Sequence, residues 1–279
     1  MSTVSVIIPT WNRSNSIKKA ILSVINQTYP PNEILICDDG STDDTESIVK
    51  SMSDDRIHWL SGEHSGLPAT PRNRGIKNSQ GEWLAFLDSD DEWVPDKLDK
   101  QLKLANELNC KAITSNAHRH LPNQGIVGDL IQWEDKIIKF DDLIKNNWII
   151  TSSTIIHRSL LVSAKGFPEN QELQAIEDYC LWLRIATQTY FGYVSEALTI
   201  YNDDPNNSVR KESVSYYLQR YHILKNLLNW LNIQDKNIKK IYFFQTKEEY
   251  KKAYWQIKKQ NIKNFKFIIK DGLINLFKF

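Results

Sequence analysis

The chain has 279 residues, 41% of them hydrophobic, enough to build the core of one large α/β domain with a smaller appendage. A formal net charge of +1 gives no global pull toward nucleic acid, and the 3 cysteines, Cys37, Cys110 and Cys180, lack CxxC spacing, so neither disulfides nor a structural zinc site is expected. MSTVSVIIPTWNR lacks a basic region before its short apolar stretch, and no run approaches the roughly 20 apolar residues of a membrane span, so a cytoplasmic location is expected, at most peripheral to the inner face of the membrane.

Val4-Ser5-Val6-Ile7-Ile8 is a β-branched run closed by Pro9, which predicts a strand followed by the loop Thr10-Trp11-Asn12-Arg13. Ser14 or Ser16 can cap a helix whose apolar residues Ile17, Ala20, Ile21, Val24 and Ile25 recur every three or four positions. A second apolar run, Glu33-Ile34-Leu35-Ile36-Cys37, ends in Asp38-Asp39-Gly40-Ser41-Thr42-Asp43-Asp44, from which Thr42 or Asp43 can cap a helix carrying Ile48, Val49 and Met52. A weaker third strand, Ile57-His58-Trp59-Leu60, leads to Pro68-Ala69-Thr70-Pro71-Arg72-Asn73-Arg74-Gly75, an arginine-bearing helix start.

Residues 81–98, GEWLAFLDSDDEWVPDKL, organise the rest. Trp83-Leu84-Ala85-Phe86-Leu87 has the bulk of a buried strand, and it stops on Asp88-Ser89-Asp90-Asp91 before a helix that begins near Pro95. One acid is ordinary at a helix start, but three crowded carboxylates repel one another unless a hard cation such as Mg²⁺ or Mn²⁺ neutralises them. Strands alternating with helices predict βαβ units and a mostly parallel sheet, whose right-handed crossovers bring all these loops to one edge. Acids from two strand ends then meet Arg72 and Arg74.

Cys110-Lys111-Ala112-Ile113-Thr114-Ser115 reads as a further strand, and residues 124–142 carry no clear signal. His118 and His120 form an HxH without a third ligand and are expected to be polar loop residues. Residues 148–156 have strand-like bulk, and residues 175–186 form an amphipathic helix headed by Glu177 and Asp178, acids that suit a helix N-terminus. A last strand over residues 190–201 ends in Asn202-Asp203-Asp204-Pro205-Asn206-Asn207-Ser208, a surface loop. Beyond it Tyr217, Tyr221, Leu224, Leu228 and Leu231, then Tyr250, Ala253, Tyr254 and Ile257, recur at helical spacing. Residues 263–279 mix lysine with phenylalanine and isoleucine, as an interfacial helix on an anionic membrane would, or a helix packed on the catalytic domain or on a second subunit.

The set SVIIPTWNR, QTYPPNEILICDDGSTDDT, PRNRGIKNSQGEWLAFLDSDDEW and AIEDYCLWLR, in this order within residues 3–205, resembles the family 2 glycosyltransferases of the GT-A fold, many of them bacterial. The resemblance implies an α/β fold, a Rossmann-like mostly parallel sheet flanked by helices, with residues 1–205 as the catalytic domain and a basic, aromatic helical extension over residues 213–279. It implies inverting transfer from a nucleotide-diphosphate sugar, expected to be a UDP-sugar, to a carbohydrate or lipid-linked glycan acceptor in surface-polysaccharide assembly. Asp39 would accept from a uracil ring N–H, Trp11 would stack on that ring, and Pro9 and Thr10 would frame it. Arg13 and Ser89 belong to the same donor site, and Arg72 or Arg74 would face the diphosphate. Asp90, with Asp88 and Asp91, would hold Mn²⁺ or Mg²⁺. Asp178 is the expected base, with Glu177 in reserve. Ser208 and Arg210 stand where many relatives carry a histidine, which this chain lacks. The implied partners beyond substrates are an anionic membrane surface or a second copy through the C-terminal helices, and no nucleic acid. A nucleotidyltransferase would need a glycine-rich phosphate loop, which is not seen, and a non-catalytic carbohydrate-binding or scaffold protein would not need these acids together.

Overall fold

The computed structural model describes residues 2–204 and 215–259, which form two compact units, one up to Asp204 and one from Ser215. The first begins with β1 (Val4–Thr10), α1 (Ile17–Ile25), β2 (Glu33–Asp38), α2 (Thr45–Lys50), β3 (Ile57–Leu60), α3 (Ala69–Asn78) and β4 (Trp83–Phe86). It continues with β5 (Glu92–Trp93), α4 (Lys97–Leu108), β6 (Ala112–Leu121), β7 (Gly125–Asp129), β8 (Ile137–Ile138) and α5 (Phe140–Leu143). After a 3₁₀ turn at Thr151–Ser153 come β9 (Ile155–His157), α6 (Arg158–Ser163), a second 3₁₀ turn (Gln171–Leu173), α7 (Glu177–Ala186) and β10 (Phe191–Asn202).

The sheet order is β3-β2-β1-β4-β9-β6-β10-β5, with β7 on β6 and β8 on β10. The first four strands are parallel. Every residue of β1, β2 and β4 is buried, as expected of strands covered on both faces by helices. Register puts Thr10 opposite Asp38 and Ile7 opposite Phe86, so the chain leaves β1, β2 and β4 on one edge, delivering Trp11, Asp39 and Asp88 there. Beyond β4 the sheet is mixed: β9 runs antiparallel to both β4 and β6, and β5 returns antiparallel on β10, so the parallel expectation describes the N-terminal half and the β6–β10 pair.

Helix α3 sits tight on β1 and β2. A Cβ added at Gly75 would lie 2.5 Å from Ile7 Cγ2 and 2.9 Å from Cys37 Sγ, so only glycine lets the helix approach this closely. Arg72, one turn earlier on α3, is thereby carried to the sheet edge. The three cysteines are buried and free, and burial pushes the Cys37 thiol up to about 12, so it does not ionise near neutrality.

Local expectations need correction at several points. His118 and His120 lie on β6, not in a loop; each sits one residue from a buried or half-buried neighbour, and the strand continues to Leu121 because β7 pairs with it. Residues 148–156 are not one strand: the chain turns at Thr151–Ser153 so that its hydroxyls serve buried partners. Residues 124–142, without a clear pattern, hold β7, β8 and α5, all short. Ser16 is the cap position of α1, but its side chain makes no capping bond.

The second unit pairs α8 (Tyr216–Asn232) with α9 (Lys236–Lys259). Tyr221 stacks on Tyr250 with ring centroids 4.9 Å apart, and their hydroxyls meet at 2.9 Å. Leu224, Leu228, Leu231, Ala253, Tyr254 and Ile257 are buried, which accounts for the helical spacing of the sequence. Among the described residues no helix is long and apolar enough to cross a membrane. Ser208 and Arg210, and the lysine- and phenylalanine-rich residues 263–279, lie outside the described residues.

Candidate functional site

Arg72 is the centre of the charged edge. Its Nη2 donates to Asp88 Oδ1 at 2.7 Å and its Nη1 to Glu177 Oε1 at 2.7 Å, with only 6% of the side chain exposed. Burial opposes its charge, but Asp88 and Glu177 more than restore it, so the guanidinium stays charged. Glu177, at the start of α7, is pushed up by burial in spite of Arg72, and its Oε2 has no hydrogen-bond partner among the described residues. The two partners of this arginine come from a β4 end and an α7 start nearly ninety positions apart in the chain, so the pair is a tertiary tie and not a local motif.

Three acids follow β4, and each meets a different environment. Asp88 is taken by Arg72, and its backbone N–H donates to Ser152 Oγ at 3.1 Å. Asp90 keeps 36% of its side chain exposed, with Arg13 Nη2 3.7 Å away. Burial and the neighbouring Asp88 push its carboxyl up, so a positive charge there would be welcome. Asp91 is 1% exposed and turned inward, where Oδ2 accepts from Ser152 Oγ at 2.5 Å and Oδ1 from Asn202 N at 2.9 Å. Asp91 therefore leaves the expected metal set, because both its oxygens are committed inside the fold.

Among the described residues no group of three histidine, cysteine, aspartate or glutamate side chains is arranged to hold a metal ion. The hard oxygens of Asp90, with Asp88 beside it, still fit a Mg²⁺-type ion, which takes one or two carboxylates and completes its shell with water and phosphate. The partly exposed Asp90 carboxylate, open to an incoming ion, is the observation that favours this fit.

Burial, Asp90 and Asp88 together push the Asp91 carboxyl well above its ordinary range. A carboxyl with a raised folded-state pKa stabilises the fold below its unfolded pKa, and that contribution is lost as pH rises through the folded one. Asp91→Asn has no such proton to lose. Urea midpoints measured from pH 4 to pH 8 should therefore fall less with rising pH in Asp91→Asn than in the parent; parallel curves would mean that Asp91 is not held protonated.

At the neighbouring edge Asp39 is 4% exposed. Its Oδ1 accepts from Ser65 Oγ at 2.7 Å, and its Oδ2 from Gly66 N at 3.1 Å. His64 Nδ1 lies 3.0 Å from Oδ2. Trp11, 46% exposed, stacks on the His64 ring. Pro9 and Thr10 end β1 in buried positions, and Thr10 O accepts from Asp39 N at 2.9 Å, which ties the ends of β1 and β2 together. Ser89 is buried beside the acids. Arg74 turns the other way: Nη1 donates to Asp38 O and, at 3.2 Å, to Leu60 O, with the guanidinium laid over Gly62. It staples β2 to β3 and is not directed at the acids.

Asp178, on the first turn of α7, is partly exposed. Its Oδ2 accepts from Thr151 Oγ1 at 2.9 Å and its Oδ1 from Tyr179 N at 2.7 Å. Its field reaches Arg72, so it belongs to the same charged cluster.

Several residues of this edge were not anticipated. Ser152 joins Asp88 to Asp91, and Thr151 holds Asp178. The signal available was Thr151-Ser152-Ser153-Thr154, four hydroxyls in a row within an apolar stretch, since buried hydroxyls require partners. His64 and Ser65 lie in a loop whose composition gives no hint of Asp39 as a partner.

A family model described as Glycosyl transferase family 2 matches residues 5–162. The Escherichia coli enzyme named UDP-Glc:alpha-D-GlcNAc-diphosphoundecaprenol beta-1,3-glucosyltransferase WfgD is 36% identical over 65% of this chain and 69% of its own length. An uncharacterized glycosyltransferase of Rickettsia bellii is 34% identical over 70% of this chain but only 28% of its own, much greater, length. S. aureus TarS 1-349, crystallised in complex with UDP-GlcNAc, superposes with a TM-score of 0.73 at 19% identity, over 93% of this chain and 74% of that one, which shows the shared fold. Since the family match spans more than half of its residues, the chain belongs to glycosyl transferase family 2.

Proposed function

We propose that the chain transfers a sugar from a UDP-sugar to an acceptor hydroxyl with inversion at the anomeric carbon, in the assembly of a lipid-linked bacterial surface glycan. The observation that carries this reading is the convergence, on one sheet edge, of the Trp11–Asp39 pair, the half-exposed Asp90 beside Asp88, and Asp178 at the start of α7.

In this reading Trp11 offers an aromatic face to the nucleobase and Asp39 an acceptor for its ring N–H. Asp90 and Asp88 would hold a divalent ion, which when bound would supply Lewis-acid stabilisation to the leaving diphosphate. Arg13, whose Nη2 lies 3.7 Å from Asp90, is the cation nearest that carboxylate and takes the diphosphate role in this reading; Arg72 is held by Asp88 and Glu177, and Arg74 by the β2–β3 edge. Arg72 instead positions Asp88. Asp178 accepts the proton of the acceptor hydroxyl as its oxygen bonds to the anomeric carbon and the bond from that carbon to the diphosphate breaks. Attack from the face opposite the leaving group inverts configuration. Glu177 is poorly suited to the same task, being 5% exposed and bonded to Arg72.

The donor class is supported by the E. coli relative, whose name gives UDP-Glc as donor and a diphosphoundecaprenol-linked GlcNAc as acceptor. A polyprenyl-linked acceptor lies in a membrane. Helix α9 exposes Ile241, Phe244 and Trp255, and Lys258 Nζ sits 4.8 Å above the Trp255 ring, a basic and aromatic surface that suits peripheral attachment to anionic lipid.

Calorimetry of UDP, GDP and TDP with Mn²⁺ and with EDTA tests the donor site. One diphosphate, UDP, should bind in a Mn²⁺-dependent way, and Asp90→Ala should weaken it at least about tenfold, a loss of about 1.4 kcal/mol. Binding of none of the three, or full Mn²⁺-dependent binding in Asp90→Ala, would remove the reading.

A further inference from the structure

The His64 imidazole lies face to face with the Trp11 indole, ring centroids 4.4 Å apart and planes 20° from parallel. Its Nδ1 is 3.0 Å from Asp39 Oδ2 and 3.0 Å from the Asp39 carbonyl oxygen. These are the two contacts asked of a nucleobase in the function proposed above: a flat heteroaromatic face on Trp11, and a ring nitrogen at Asp39. A side chain of the protein already makes both.

Asp39 has little room for an additional donor. Oδ1 accepts from Ser65 N at 3.1 Å and Ser65 Oγ at 2.7 Å, and Oδ2 accepts from Ser65 N and Gly66 N, both at 3.1 Å. The carboxylate side chain is only 6% exposed. A further ring N–H can reach it only where one of these partners withdraws.

The partners differ in their freedom to do so. Ser65 is locked, since Leu67 N donates to its Oγ at 3.2 Å and the same Oγ also lies 3.2 Å from Leu67 O. Gly66 donates from a backbone held at φ +70°, a left-handed conformation suited to glycine. His64 is held at its main chain, where a Cβ added to Gly40 would come within 2.9 Å of His64 N. Its side chain is 46% exposed and needs only a rotamer change to reach solvent.

We propose that His64 and the nucleobase are alternative occupants of one seat, so that nucleotide binds Trp11 and Asp39 only as the imidazole rotates away, and His64 thereby sets the apparent nucleotide affinity. The inference rests on the reading that Trp11 and Asp39 hold the base. A competitor tethered in the seat reduces apparent affinity by the fraction of molecules in which the seat is free. An aromatic stack of this kind is worth a modest factor, so removing the ring should tighten binding roughly three- to tenfold. A purely structural role for His64 predicts the opposite sign, because loosening the loop around Asp39 would weaken binding.

The test is calorimetric titration of UDP with Mn²⁺ into the full chain and its His64→Ala and Trp11→Ala variants; both positions are substantially exposed, so folding should survive. The expected result is tighter binding in His64→Ala, by roughly three- to tenfold, and binding weakened about tenfold or more in Trp11→Ala. Unchanged or weaker binding in His64→Ala, together with a loss in Trp11→Ala, would overturn the competition while leaving the base seat in place. UDP binding unaffected by Trp11→Ala, or no UDP binding by any of the three proteins, would overturn the seat and the inference with it.

Discussion

Replacing Asp178 with Asn should leave UDP-sugar binding near that of the parent and slow sugar transfer by roughly 10²–10⁴-fold, the range associated with loss of a general base. The amide has the shape of the carboxylate, and its oxygen can still accept from Thr151 Oγ1, so α7 should start where it does now. The residues behind it, Cys180, Leu181 and Trp182, are fully buried and hold the helix irrespective of that charge. What the amide lacks is the ability to accept a proton from the acceptor hydroxyl. Single-turnover transfer from a radiolabelled UDP-sugar, with donor binding followed separately, checks this. Transfer within tenfold of the parent would send the search for the base elsewhere. Glu177→Gln is the natural control, and it should act mainly on stability, because its partner is Arg72 and not a substrate.

Arg72→Leu should be among the most destabilising single changes in the first unit. Removing one partner of a buried ion pair leaves an uncompensated charge and costs about 3–5 kcal/mol. Here Glu177 is left buried and Asp88 loses the guanidinium that pairs with it, while the leucine fills the space of the aliphatic stem but not of the guanidinium. For a domain of this size the midpoint of thermal unfolding should drop on the order of 10 °C. Arg72→Lys should fall between the two, since an ammonium cannot reach both carboxylates in the two-pronged way of the guanidinium. Combining Arg72→Leu with Glu177→Gln should recover part of the loss by removing the stranded carboxylate. Scanning calorimetry of the four proteins decides it: a midpoint for Arg72→Leu within 2 °C of the parent would mean that the pair is energetically idle.

The parts of this protein that were legible in the sequence are those where burial and periodicity coincide. β1, β2 and β4 are apolar on both faces, and each ends abruptly on polar residues, so their existence and the side on which Trp11, Asp39 and Asp88 emerge follow from pattern and chain handedness. Legibility stopped where an identity depends on a distant partner. Arg72 and Arg74 are two residues apart on one helix and chemically alike, yet one turns to Asp88 and Glu177 and the other to the carbonyls of Asp38 and Leu60. Asp90 and Asp91 are adjacent, and only the fold decides that one faces solvent while the other meets Ser152 and Asn202. The reversed strand β9 was hidden for a related reason: a three-residue strand between a turn and a helix has no period of its own to read.

The Thr151–Ser153 turn touches nearly everything around it. Thr151 holds Asp178, Ser152 holds Asp88 and Asp91, Ser152 O accepts from Trp93 Nε1 at 2.7 Å, and Ser153 O accepts from Gln101 Nε2 at 2.6 Å. The acid proposed for the donor side and the one proposed for the acceptor side are thus fastened to consecutive residues of one short rigid piece. Grafting a different acceptor-recognition segment onto this chain would therefore be safest with cuts made outside residues 151–153, since a chimera joined within them would inherit two half-sites set by different parents and no common ruler between them.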